Sequence, residues 1–413
     1  MIEGYENLRV GLLGETLKHS ISPLIHHAFA DYSYRLFEVP KGRLFDFLEN
    51  GDFDCLNVTI PHKRTVLPYL SKLTEVAKAT GAVNCIKKEN GKLVGHNSDV
   101  YGFSTLLERS GVCVFGKKVL ILGSGGASCA VRYVLREKGA KEIVVISRQG
   151  DDNYQNITRH RDADIIINAT PVGMYPNAFE KPPLSLSDFP SLMFVADLIY
   201  RPQKTLLLRE AEKRGIQTAN GLSMLVAQAK EAVTFFTGVP LPDSEIQPVI
   251  QIAENALQNI VLIGMPGCGK TTVGKALAKA TGRPFLDADE AVLAAYRKTP
   301  EAMIQTEGEK AFRIAEASVL RSLSMEMGSV IATGGGAVLH DEEMEALKAN
   351  GKVVFLTRDW QDCPTDGRPI SQSESLQTLY EKRAPLYHKY ADFICQNDGI
   401  ASAMNRIIKE LSL

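Results

Sequence analysis

No CxxC pair occurs among the seven cysteines of this 413-residue chain, which are scattered singly at Cys55, Cys85, Cys113, Cys129, Cys268, Cys363 and Cys395. That spacing excludes a disulfide framework and a thiolate zinc site, and it fits reduced thiols. No apolar run approaches the roughly 20 residues that a membrane-crossing helix requires. The opening residues, MIEGYENLRV, lack the basic-then-apolar order of a secretory signal. A cytoplasmic location with no membrane partner is therefore expected. Charge of one sign is scarce as well: 47 basic and 48 acidic side chains leave a net charge of -1. From residue 257 onward there are 18 basic and 20 acidic side chains, so neither half is basic. A binder of phosphate backbones needs such an excess, and no nucleic-acid partner is expected.

What is present is an ordinary globular balance, 45% hydrophobic and 23% charged, on a chain too long for one hydrophobic core. Short runs rich in Val and Ile, at 10–13, 119–122, 143–146, 165–167, 260–263, 330–332 and 353–356, alternate with helical patterns. They read as buried parallel strands, which makes the whole chain α/β. The stretch GVPLPDSEIQP at 238–248, with three prolines and several acids, is the best internal boundary. A helix at 249–257 then leads into a fresh strand at Asn259.

Two glycine loops follow strands. In KKVLILGSGGAS, small residues let the backbone turn tightly and approach a pyrophosphate at a helix N-terminus. The next strand ends in Ser147 and Arg148, where an NAD site carries an acid; a Ser and an Arg there favour the 2′-phosphate of NADP. The plainer reading of Arg148 is a solvated loop cation. The second loop, NIVLIGMPGCGKTT, meets the full GxxxxGK-S/T spacing: its N–H groups cradle phosphates, Lys270 reaches the β/γ oxygens and Thr271 holds magnesium. Cys268 inside it reads either as an activated thiol near Lys270 or, slightly better, as an inert filler.

The acceptor residues are less self-evident. Segments GETLKHSISPLIHHAF, NVTIPHK, GAVN and GHNSD place hydroxyls, amides, Lys63 and Asp99 after strand-like runs, a set that fits a small polyhydroxylated acid. Singly each is bland: Ser20 and Ser22 as a turn, Asn57 and Asn84 as helix caps, Lys63 and Asp99 as a surface ion pair. Beyond the second loop, FLDADE, GEKAFR, ATGGGAV and KRAPLY supply acids, arginines and a glycine run. Asp287 and Asp289 are expected on one side of a strand end from their two-residue spacing. Arg313 and Arg383 suit a carboxylate, which a planar fork meets bidentately.

Residues 1 to about 245 resemble shikimate dehydrogenase, with HSISP, NVTIPHK, AVN, NSD, GSGGAS, NAT and GLSMLVAQ in the family's order. The resemblance implies that Ser20, Ser22 and Tyr200 hold the substrate carboxylate and that Thr59, Asn84, Asp99 and Gln228 face the ring hydroxyls. Lys63 would pair with Asp99 and pass a proton to the carbonyl oxygen. Gly123, Ser124, Gly125, Gly126, Ala127, Ser147 and Arg148 would hold NADP(H), with Leu198 and Gly221 at its nicotinamide end. Only twenty residues separate Arg148 from Asn168, where the family has a further strand–helix unit, so the sheet should lose or shorten an element.

From about 258 to 413 the chain resembles shikimate kinase. That resemblance implies ATP at Gly267, Cys268, Gly269, Lys270, Thr271, Thr272 and the lid residue Arg368, with Mg2+ at Thr271 and Asp287. Asp289 would meet the acceptor hydroxyl, as base or as orienting group, with Arg313, Gly335 and Arg383 around the substrate and Glu316 steadying Arg313. Trp360, at the base of the lid, would report its closure. The implied architecture is a substrate domain (1–105 and 218–245), a Rossmann-type NADP domain (106–217), a linker (246–257) and a P-loop kinase domain with a parallel sheet (258–413). The implied function is reduction of 3-dehydroshikimate to shikimate, then its phosphorylation to shikimate 3-phosphate. A quinate/shikimate dehydrogenase or a sensing regulator without turnover are the alternatives, and a homo-oligomer is compatible with the sequence.

Overall fold

Each apolar run named above becomes a strand, and the order of those strands decides which loops meet. The computed structural model describes residues 1–17, 20–359 and 375–413. Trp360, Cys363 and Arg368, with the lid reading that rests on them, lie outside the described residues. Two compact units are formed, Met1–Ala253 and Glu254–Leu413, and the helix Ile246–Leu257 runs across their boundary.

The first unit holds two sheets. In one, β1 (Arg9–Gly14), β2 (Ser33–Glu38), β3 (Cys55–Val58), β4 (Lys72–Leu73), β5 (Cys85–Glu89) and β6 (Lys92–His96) lie in the order β2-β1-β3-β5-β6-β4. Strands β1, β2 and β3 are parallel, but β5 runs antiparallel to both β3 and β6. The run at 10–13, read as a parallel strand, is one in β1, and the antiparallel pair β5–β6 extends the same sheet. The Asn90-Gly91 pair, at φ 50° and 74°, closes a two-residue hairpin whose handedness suits the strand twist.

The second sheet is parallel, with order β11-β10-β9-β7-β8 for β7 (Lys118–Leu122), β8 (Glu142–Ile146), β9 (Ile165–Asn168), β10 (Phe194–Asp197) and β11 (Gln217–Asn220). Successive residues of the central strands serve two apolar layers: Leu120, Leu122 and Ile166 on one face, Val119, Ile121, Ile165 and Ile167 on the other. Burial on both faces is why these strands read as unbroken apolar runs. Strand β7 lies between β8 and β9, so the loop after it opens at the point where strand order reverses. Between β8 and β9 the chain makes only a 3-10 turn, Ile157–His160, which plugs Ile157 into the core. The sheet therefore ends at β8, the shortening that the spacing implied.

The second unit is a single parallel sheet, β13-β14-β12-β15-β16, of β12 (Asn259–Ile263), β13 (Phe285–Asp287), β14 (Val330–Ala332), β15 (Gly351–Thr357) and β16 (Phe393–Gln396). Strand β12 is wholly buried at its centre and feeds the second glycine loop into the helix Lys270–Thr281.

Candidate active sites

In the first unit the turn after β3 and the start of the helix Asp99–Arg109 face each other. Lys63 Nζ donates to Asp99 Oδ2 at 2.6 Å, with the lysine side chain 14% exposed and the aspartate 1%. This is a buried pair, not the surface pair the residues alone allowed. Asp99 stands in the first helical turn, where unpaired N–H groups favour a carboxylate. Asn84 Nδ2 donates to Asp99 Oδ1 and to Ser98 Oγ, each at 3.0 Å, and lies 3.5 Å from Gln228 Oε1. Gln228 reaches the cluster because Gly102 lets the helix Leu222–Thr237 come close: a Cβ on Gly102 would sit 2.7 Å from Met224 O and 3.0 Å from Gln228 Cβ.

Ser20 Oγ and Ser22 Oγ are 3.1 Å apart, and Ser22 lies beside the Tyr34 phenol. Tyr34 donates to Asn57 Oδ1 at 2.9 Å, and Asn57 Nδ2 reaches the Cys85 thiol at 3.6 Å. Cys85 in turn meets Ser98 Oγ at 3.3 Å. A polar chain thus joins the serine turn to Asn84. Thr59 is half-buried and tied to Leu13 O through its amide at 2.9 Å. Burial pushes the half-buried Tyr200 phenol above its ordinary pKa. Among the described residues no hydrogen bond joins Tyr200 to either serine.

The first glycine loop meets this cluster. A Cβ on Gly126 would lie 2.8 Å from Lys63 Cβ, so the loop and the lysine stem are in contact through a hydrogen. Gly123 turns at φ 101°, pressed on Thr170 and Ala169. Ser124 and Gly125 are exposed, and the helix Gly126–Glu137 offers N–H groups from Gly126 and Ala127. A side chain on Gly221 would overlap the Leu198 carbonyl, so these two backbones close the far side. Asp197 ends β10 fully buried and accepts from Asn168 Nδ2, Ile199 N and Thr205 Oγ1 at 3.0, 3.1 and 2.7 Å. Burial outweighs these bonds and raises its carboxyl to about 6. Arg148 is exposed beside Tyr154, and Ser147 is half-buried.

In the second unit Gly264, Gly267 and Gly269 adopt φ of 146°, 84° and 99°, values that exclude ordinary side chains. Lys270 Nζ, nearly buried, donates to the carbonyls of Gly264 and Met265 at 2.9 and 3.0 Å. Thr271 Oγ1 donates to Asp287 Oδ2 at 2.8 Å, and Thr272 is exposed beside it. Asp287 caps the helix Ala288–Tyr296, and Asp289 N donates to its Oδ1 at 2.9 Å. The expected strand placement of Asp289 is corrected: it lies in that helix's first turn, and the cap brings the two acids together. The fully buried Cys268 sulfur is 3.9 Å from Lys270 Nζ. Full burial of the thiol fits the reading of Cys268 as a filler of the loop.

Opposite, the turn Gly334–Gly336 is crowded by acceptor-type residues. Positions for a Cβ on Gly334 fall 2.6 Å from Glu316 Oε1 and 3.4 Å from Asp289 Oδ1, and one on Gly336 would overlap Arg313. Arg313 Nη1 donates to Glu316 Oε2 at 2.6 Å. Arg383 Nη1 donates to Gly335 O at 3.2 Å, and the buried Tyr387 phenol donates to the same oxygen at 2.6 Å. Two arginines, two acids and bare backbone thus converge beside Pro266 of the P-loop.

Known proteins place both halves. Residues 12–86 match the model of the shikimate dehydrogenase substrate binding domain, and residues 266–412 that of shikimate kinase. A shikimate dehydrogenase (NADP(+)) of Methanococcus maripaludis is 37% identical over 255 residues, 55% of this chain and 91% of that protein. The chain belongs to the shikimate dehydrogenase family. Its second unit carries a shikimate kinase domain, which makes the whole a bifunctional shikimate-pathway enzyme. Among solved structures, the chorismate mutase/shikimate 5-dehydrogenase fusion protein of Clostridium acetobutylicum aligns with a TM-score of 0.56 at 33% identity, over 60% of this chain and 98% of that one. The Thermus thermophilus shikimate 5-dehydrogenase in complex with NADP(H) and shikimate aligns with a TM-score of 0.53 at 30% identity, over 60% and 99%.

A shikimate dehydrogenase joined to a shikimate kinase domain uses NADP(H), ATP and magnesium, and the residues fit all three. The first glycine loop presents the open backbone of Gly125 and the N-terminal N–H groups of the helix Gly126–Glu137. The positive-φ glycines and Lys270 form a phosphate cradle. Thr271 and Asp287 give a hard cation two adjacent oxygens. Tyr34, Asp197, Tyr387 and His340 were not singled out for these sites from sequence alone. Their hydrogen bonds run to other side chains or backbone, so no motif spacing marks them.

Proposed function

We propose that the first unit reduces 3-dehydroshikimate to shikimate with NADPH and that the second phosphorylates the 3-hydroxyl of shikimate with MgATP. The contact of Gly126 with Lys63 carries the first half, because it puts the coenzyme loop against the proton-donating side chain. Bound NADPH supplies a hydride to the carbonyl carbon. Lys63 Nζ passes its proton to the developing alkoxide, which needs a positioned donor, and recovers one from solvent. Asp99, shared between Lys63 and Asn84, holds the ammonium in place. Ser20, Ser22 and Tyr200 receive the substrate carboxylate; Thr59, Asn84, Asp99 and Gln228 receive its hydroxyls.

In the second unit Arg313, Gly335 and Arg383 receive the shikimate carboxylate and ring, and Asp289 orients or deprotonates the hydroxyl. Thr271 and Asp287 would hold magnesium, and Lys270 neutralises charge on the transferred group, the kind of positioning on which phosphoryl transfer depends. Reduction is the favoured direction because a kinase acting on the product draws the first reaction forward. Steady-state rates with 3-dehydroshikimate against 3-dehydroquinate, and NADPH against NADH, test the reading. It predicts preference for the first of each pair and MgATP-dependent formation of shikimate 3-phosphate; preference for 3-dehydroquinate would move the first site to the quinate class.

A further inference from the structure

The segment after the glycine turn folds back on the acceptor site. A 3-10 turn, Ala337–Leu339, and the helix Asp341–Ala349 meet at His340. Its backbone is pinned on both sides, N–H to Ala337 O at 3.0 Å and C=O from Met344 N at 2.9 Å. So held, His340 places Nε2 2.9 Å from Glu316 Oε2, the same oxygen that accepts from Arg313. The histidine side chain is 13% exposed and the glutamate 3%.

Arg313 is pulled two ways along its own helix. Nε and Nη2 donate to the more exposed Glu309 at 3.2 and 2.9 Å, while Nη1 donates to Glu316. One N–H remains on each terminal nitrogen, the pair that meets a carboxylate end-on. Burial pushes the Glu316 carboxyl upward, but the His340 hydrogen bond and then the Arg313 charge outweigh it and hold the group ionised. A buried carboxylate with Arg313 as its sole partner would draw the guanidinium fully onto itself. With His340 sharing the oxygen, the arginine keeps charge and donors for an incoming anion.

We propose that His340 is a positioning residue of the kinase site, acting through Glu316 to keep Arg313 oriented toward the carboxylate of the acceptor. The inference rests on the kinase reading above, in which Arg313 binds that carboxylate. It concerns carboxylate recognition and not phosphoryl transfer, which separates it from a general structural role.

The test uses the full chain and initial rates with shikimate and with its methyl ester, for His340→Phe, His340→Ala and His340→Gln. With shikimate, the Phe and Ala forms should raise KM roughly five- to tenfold, about the size of one lost charge-assisted hydrogen bond. Their kcat and KM for MgATP should stay within about twofold, and Gln, which keeps an N–H donor, should restore the original KM. With the ester, all forms should share one KM. A shikimate KM unchanged in both Phe and Ala forms overturns the proposal, as does an equal rise for acid and ester. Absence of phosphoryl transfer to shikimate by the unsubstituted chain overturns the kinase reading itself.

Discussion

Asp197 shows how one residue couples fold to pH. Its carboxyl, buried and ringed by Asn168, Ile199 and Thr205, is raised from the ordinary 3.8 to about 6. The folded chain therefore keeps a proton that the unfolded chain releases between those values. Its contribution to stability is full below about pH 4 and is lost as pH rises through about 6, on the order of 3 kcal/mol in all. Asp197→Asn cannot ionise, and its amide can donate to Thr205 instead. Denaturant unfolding of the first unit should show the substituted chain gaining on the original between pH 4.5 and 7.5; a gap that shrinks with pH would refute this. At Gly126 the argument is steric. Gly126→Ala places a methyl 2.8 Å from Lys63 Cβ, and displacement of a reacting group by about 1 Å costs on the order of a hundredfold. Dehydrogenase kcat should fall at least tenfold with kinase rates unchanged, and a normal kcat would show that the contact is not needed. The P-loop was legible in the sequence through its motif spacing, and Lys63 and Asp99 through the resemblance of the segments that carry them. Asp197 and Tyr34 were not, because support through a second side chain leaves no spacing.

At the scale of elements, the strands that sequence reading found are those buried on both faces, such as β7 and β9, whose apolar runs are unbroken. Among those it did not name, β5 with its charged Lys87, Lys88 and Glu89 and the two-residue β4 carry little apolar signal, and β10 offers only three apolar residues before Asp197. Asp289 was misplaced for a related reason: two-residue spacing means one face only while a strand continues, and β13 stops at Asp287. The first site depends on a helix pair as much as on motifs. Gly102 is what lets Leu222–Thr237 approach Asp99–Arg109, and Gly102→Val would force them apart against Met224 O and Gln228. Overpacking of this kind costs about 1–3 kcal/mol. The expected outcome is a lowered melting temperature of the first unit and a raised KM for its substrate, as Gln228 withdraws. An unchanged KM in a destabilised chain would place Gln228 outside substrate recognition.

For the whole molecule, the near-neutral charge of 47 basic against 48 acidic side chains offers no one-signed surface to guide an anionic intermediate. Shikimate released by the first reaction should therefore mix with bulk solvent. Labelled shikimate added during coupled turnover should dilute into shikimate 3-phosphate in proportion to its concentration, and persistent exclusion of the label would contradict free exchange. Two sites built from separate residues in separate units should also fail separately. The decisive measurement supplies the full chain with 3-dehydroshikimate, NADPH and MgATP, and follows NADPH loss together with shikimate 3-phosphate. Lys63→Ala should abolish NADPH oxidation yet phosphorylate added shikimate at nearly the original rate, and Lys270→Ala should oxidise NADPH normally while forming no phosphate ester. If either substitution, in folded protein, silenced both reactions, the account of two independent active sites in one chain would be wrong.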